Sequence, residues 1–173
     1  MTSNYSNALL LSCLLAWPVT AAKSPLFPLC EALSGTWQGT SAEPGQSPKS
    51  TSMQAVCSAD GLQLFIALNI RGHASESWWF TQQQNDVRLL LGKGELEPVV
   101  RRFSLYQQED GFSLLGEGEV TERPALIRLI FEPVPEGWQW LQQVQFLDDD
   151  FTDYQVIRGI GLSRTAANQP APG

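Results

Sequence analysis

Histidine is almost missing from this chain: of 173 residues only His73 carries an imidazole. One imidazole permits a single imidazole-dependent site, and no G-x-S-x-G, H-E-x-x-H or P-loop pattern occurs. The sequence therefore predicts no enzymatic activity, no catalytic residue, no cofactor and no metal site. Basic residues are also few, 11 against 18 acidic ones, and the longest basic run is Arg101-Arg102. A formal charge of −7 repels phosphate backbones, so nucleic acid is not an expected partner. Cysteine is limited to Cys13, Cys30 and Cys57, with no C-x-x-C spacing, which argues against a redox site. Long hydrophobic runs are absent too. The longest, "ALLLSCLLAWPV" from Ala8 to Val19, has 12 residues, short of the roughly 20 that a helix needs to span a bilayer.

That run does have the layout of a secretory signal peptide, although "MTSNYSN" before it has no Lys or Arg. Pro18 and the small residues of "VTAA" follow, offering cleavage after Ala21 or Ala22. Residues 1–22 are thus expected to be a leader, and the protein to be exported to the periplasm or the extracellular space. Cys13 lies inside the apolar run rather than at its end, unlike a lipid-attachment cysteine. Cleavage removes Cys13, and the two remaining cysteines, Cys30 and Cys57, suggest one disulfide in an oxidising compartment. Two buried thiols are the other reading.

What is present is punctuation. Turn signals end at Gly61, Asp86, Gly111 and Gly137, at intervals of 25, 25 and 26 residues, about the length of a hairpin with its connections. Between them, "LQLFIALNI" sets Leu62, Leu64, Ile66, Leu68 and Ile70 on one face, and "DVRLLL" alternates Val87, Leu89 and Leu91 with Arg88. No stretch after the leader shows a helical stripe with caps. About ten strands are predicted, near 35–40, 51–58, 62–70, 75–82, 86–92, 98–107, 111–119, 124–132, 138–147 and 153–163. The fold class is all-β. An antiparallel up-and-down meander closed into a barrel removes the two edges that an open sheet would expose, and the short sequential turns favour it over a sandwich. The barrel domain is placed at 23–163, with a disordered tail at 164–173; "TSAEPGQSPKS" reads as a loop over the barrel mouth.

"SGTWQG", with Gly35 and Trp37, resembles the G-x-W signature on the first strand of lipocalin-like barrels, the calycin group. The resemblance implies a tryptophan closing the narrow end and a small apolar or amphipathic ligand inside. Thr152-Asp153-Tyr154 looks like a second lipocalin motif, but it stands at the last strand, where that family does not carry it. Ten strands without a C-terminal helix are more similar to fatty-acid-binding or nitrobindin-like barrels. A nitrobindin-like barrel needs a haem-ligating histidine late in the chain, and His73 stands in an early turn.

Arginines on apolar strand faces are the other signal. Arg158 shares a face with Tyr154, Val156, Ile160 and Leu162, and Arg101 with Val99, Phe103 and Leu105. Two guanidinium groups inside a barrel cost several kcal/mol each unless paired, roughly on the scale of other buried ions. A ligand carboxylate could supply bidentate acceptors, similar to the arginine–tyrosine clamp of fatty-acid-binding barrels; Glu117 or Glu119 could equally neutralise them. Adjacent Trp78 and Trp79 must face opposite sides, whereas Trp138 and Trp140 share a face and serve as core or as a stacking platform. Asp148, Asp149, Asp150 and Asp153 read as a solvated turn. The ligand-binding set expected from sequence is Arg101, Arg158, Tyr154, Trp37, Phe103, Trp138 and Trp140, holding a small amphipathic or apolar molecule. The alternative is a filled barrel acting as a cell-envelope or secreted interaction module, with a protein as partner.

Overall fold

The computed structural model describes residues 24–109, 111–150 and 152–165. The expected leader at 1–22, its cleavage site and the tail beyond residue 165 lie outside the described residues. In chain order the elements are α1 (Phe27–Leu33), β1 (Gly35–Ala42), β2 (Lys49–Cys57), β3 (Gln63–Ile70), β4 (Glu76–Gln83) and β5 (Asp86–Lys93), followed by β6 (Val99–Gln108), β7 (Gly111–Val120), β8 (Arg123–Val134), β9 (Gly137–Phe146) and β10 (Gln155–Arg164). Every strand pairs antiparallel with the next, and β1 pairs with β10, so the meander closes into a ten-stranded barrel. The strands expected from sequence lie within two residues of these bounds at each end.

Closure follows from the period-two pattern. On β3, Leu64, Ile66, Leu68 and Ile70 point into the core while Gln63, Phe65 and Asn69 are exposed. On β8, Ala125, Ile127, Leu129 and Phe131 do the same. Large side chains fill the interior, among them Phe80, Phe103 and Leu114, and Trp78 rests on Trp140 with ring centroids 4.7 Å apart. The β7–β8 connection is a two-residue turn, Thr121-Glu122, with φ of 51° and 63°, the hairpin form that matches strand twist.

One end is plugged by α1, a helix the sequence reading did not anticipate. Seven residues are too few to display a long stripe, but Leu26, Leu29, Cys30 and Leu33 fall on one side and are buried. The Gln82 side chain accepts the Leu26 N–H at the helix start, and Ser34 ends the helix by donating its N–H and hydroxyl to the Cys30 carbonyl. A disulfide from Cys30 to Cys57 ties α1 to the end of β2. Trp37, 2% exposed, donates its indole N–H to the Leu33 carbonyl at 2.8 Å, and the Arg164 guanidinium lies 4.8 Å from its ring. Trp37 therefore seals this end, as the G-x-W resemblance implied. Arg164 itself closes β10, so the strand extends one residue into the segment expected as tail. Among the described residues, no helix is long and apolar enough to cross a membrane.

Candidate functional site

The opposite end is open and polar. It gathers the ends of β1, β3 and β5, the starts of β2 and β4, and the early part of β10 around a pocket of about 250 Å³. The β1–β2 loop contributes Glu43, Gln46 and Ser47 to the wall, consistent with the expected loop at the mouth. Lys49 and His73 meet on the rim, with Lys49 Nζ donating to His73 Nε2. The floor is an ion pair between Glu76 of β4 and Arg158 of β10.

Glu76 is 5% exposed, and its carboxylate is well served. Arg158 Nη1 donates to Oε1 at 3.1 Å and to Oε2 at 2.9 Å, the Trp78 indole N–H donates to Oε2 at 3.3 Å, and Lys93 Nζ stands 3.6 Å from Oε1. Arg158 also lies 5.5 Å from the Trp140 ring centroid and 6.0 Å from that of Trp78. Its Nε reaches the Ser41 hydroxyl at 3.5 Å. The remaining nitrogen, Nη2, is buried with no acceptor among the described residues.

Beneath this floor is a narrower niche of about 30 Å³, lined by Trp78, Leu89, Leu91, Arg101, Phe103 and Leu129 together with Trp140, Gln142 and Arg158. That is room for a water molecule or two and well below the roughly 300 Å³ at which drug-sized ligand cavities begin. The lining is rich in donors. Arg101 Nη2 donates to the Glu119 carbonyl at 3.0 Å, and burial lowers its guanidinium pKa from the usual value. The guanidinium passes over Gly118, where a Cβ would stand in ordinary contact with Arg101 Nε at 3.6 Å. The Trp140 indole N–H, like Arg158 Nη2, is buried without an acceptor among the described residues. Such donors lose their hydration without a replacement, a cost of roughly 1–3 kcal/mol each that a bound acceptor offsets.

Of the seven residues expected from sequence, Arg101, Arg158, Phe103 and Trp140 converge on the niche. Trp37 and Trp138 do not: Trp37 belongs to the α1 plug, and Trp138 packs on Phe112 with centroids 6.1 Å apart. Tyr154 corrects the sequence reading. A register shift between Val156 and Arg158 reverses the parity of β10, so Val156 opposes the outward Gln143 whereas Arg158 opposes Gln142 inside. Tyr154 consequently lies against the outward Arg128, whose guanidinium is 4.4 Å from its ring. Glu117 and Glu119 do not neutralise the interior arginines by their carboxylates; both side chains are exposed. The acid that does so, Glu76, went unrecognised. Its signal was legible, for Glu76 shares period-two parity with the core residues Trp78 and Phe80. In the acidic turn, Arg123 engages Asp148 and Asp149, and its hydrogen bonds hold the Asp148 carboxyl below the ordinary range.

These features define a closed ten-stranded antiparallel barrel with one plugged end and a charged mouth. The barrel is similar to the solved structure of Rv2717c from M. tuberculosis, with a TM-score of 0.55 over 84% of this chain and 100% of that one, at 15% sequence identity. At that identity the likeness concerns the fold. The sequence matches no family model and no curated protein.

Proposed function

We propose that this is an exported binding barrel that holds a small amphipathic molecule at its mouth, with the ligand's acidic group on Arg158. The observation that carries the reading is the guanidinium of Arg158: one nitrogen is fixed by Glu76, while Nη2 has no acceptor among the described residues and the residue lines both pocket and niche. A carboxylate entering from the mouth supplies that acceptor in charge-assisted form. The pocket lining sets three cations, Lys49, Lys93 and Arg158, against two acids, Glu43 and Glu76, a net positive balance that favours an anion over a cation. The volume of about 250 Å³ favours a ligand smaller than a long-chain fatty acid. Export accords with the Cys30–Cys57 disulfide, which an oxidising compartment keeps intact. The well-filled interior favours a second reading, a barrel that acts only through its surface as an envelope or secreted interaction module.

Native mass spectrometry of the protein recovered from an exported fraction separates the two. The binding reading expects a discrete excess mass that solvent extraction removes. It also expects that mass to be missing from a Glu76→Gln/Arg158→Leu double variant that keeps the wild-type circular dichroism; both charges are removed so that neither is left buried alone. A bare wild-type mass, together with a melting midpoint that small carboxylic acids do not move, would sink the binding reading and leave the surface module.

A further inference from the structure

We infer that the outer face of β2–β6 docks on an anionic lipid surface. One cross-strand row carries the inference. Val56 opposes Phe65, Phe65 opposes Trp79, Trp79 opposes Leu90, and Leu90 opposes Val100. Five consecutive strands, half of the barrel's ten, thus place a large apolar side chain at the same level on the outside. Val56, Phe65, Trp79 and Val100 are 41–55% exposed, and Leu90 is half-buried between them. Neighbouring strands are about 4.8 Å apart, so the row is continuous rather than a scatter of single exposed residues.

The rows on either side give the face its direction. Toward the mouth stand small residues, Ala67, Ser77 and Gly92, which leave the apolar row protruding. Toward the plugged end stand Gln63, Thr81, Arg88 and Arg102, again in register. Arg88 and Arg102 are direct cross-strand neighbours, both exposed, and neither meets an acid among the described residues. Like charges placed opposite one another destabilise a sheet, which suits a site whose counter-charge comes from outside. The Trp79 indole N–H donates to Gln63 Oε1 at 3.2 Å, so its polar edge is turned to this polar row. Aliphatic side chains and a phenylalanine beside a tryptophan and arginines match the composition that sits at a bilayer interface.

Charge segregation supplies the polarity of the partner. The chain holds 18 acidic residues, yet on the strands β2–β6 only Asp86 joins Arg88 and Arg102 on the outward side. Glu76 points inward on β4, and Asp60, Glu95 and Glu97 stand in the connections at the two ends of the β2–β6 face rather than on it. The neighbouring face of β7 and β8 carries Glu117, Glu119 and Glu132 on its outer side, so charge favours the β2–β6 face over that one. Shape then decides between partners. The face is convex and offers no strand edge to pair with. Two copies laid face to face would touch only along a line, whereas a headgroup layer yields around the curve.

The test is co-sedimentation of the purified full chain, and of variants prepared identically, with vesicles of phosphatidylcholine alone and of phosphatidylcholine mixed with phosphatidylglycerol. The expected result is binding to the mixed vesicles that weakens as salt rises. Arg88→Gln/Arg102→Gln is expected to lower that binding about tenfold or more. Phe65→Ser/Trp79→Ser is expected to lower it by a similar factor with both charges retained. Circular dichroism and melting confirm that each variant is folded, and the arginine pair keeps the test informative should the apolar pair fail that check. Absence of binding to the mixed vesicles overturns the proposal, as does binding that neither variant weakens. A wild-type dimer in sedimentation velocity that Phe65→Ser/Trp79→Ser converts to monomer overturns it in favour of a second copy. None of these substitutions touches the mouth, so ligand retention is scored separately.

Discussion

At the scale of single residues, Glu76 holds the most leverage. Its carboxylate answers Arg158, Lys93 and the Trp78 indole from a position 5% exposed. Replacing a buried charged partner leaves the other charge without compensation, whereas replacing both with neutral groups does not. Glu76→Gln is therefore expected to cost about 3–5 kcal/mol in denaturant unfolding. The double variant Glu76→Gln/Arg158→Leu is expected to recover most of that loss. A single variant as stable as the wild type would show that water already solvates Arg158 from the mouth. Arg101 differs in kind. Its contact is a backbone carbonyl, and burial, with no counter-charge on it among the described residues, depresses its pKa, so an incoming anion has something to gain there.

At the scale of elements, barrel closure depends on how closely β1, β9 and β10 can approach. A Cβ on Gly39 would stand 1.8 Å from the Gly161 carbonyl oxygen, and one on Gly137 would stand 2.0 Å from that of Leu162. Neither neighbour is a flexible side chain; both are backbone in the closing seam, so the strands themselves would have to part. Gly39→Ala is accordingly expected to destabilise by about 1–3 kcal/mol or more, as overpacking does. Hydrogen exchange should show the lost protection concentrated at β1 and β10. Unchanged protection there would mean that the seam can bulge at no cost. The Val156–Arg158 register shift acts on the same strand, β10. It sends Tyr154 outside and Arg158 inside, and so decides which side chain reaches the mouth.

At the scale of the whole molecule, a filled barrel and a helix plug are coupled by one covalent link. The Cys30–Cys57 bond closes a separation of 27 residues, which the chain-entropy model makes worth about 3–4 kcal/mol. Cys30→Ser/Cys57→Ser is expected to lower the unfolding free energy by about that amount. Unfolding should remain one transition, because Trp37 and Leu33 bind the plug to the same core. A separate early transition reported by Trp37 would instead mark α1 as an independently opening lid.

The strands, their order and which side chains share a face were legible in the sequence, because alternation is local; which face points inward was not, since a single bulge reverses the parity. The alternation of Leu64, Ile66, Leu68 and Ile70 needs no partner to be read. The arginines were legible as well, since a charge at Arg101 or Arg158 breaks an apolar face. What answers them was not. Glu76 and Arg158 are 82 positions apart and meet only because β4 and β10 cross the same interior. The parity of Tyr154 rested on a single bulge, and the size of the niche on how Trp78, Phe103 and Trp140 pack together. Sequence by itself determined a ten-stranded antiparallel barrel with arginines on otherwise apolar strand faces, because hydrophobic period and turn chemistry are local. Only the tertiary structure decided which charges meet, which face outward and how much space remains, because each depends on register between strands distant in the chain.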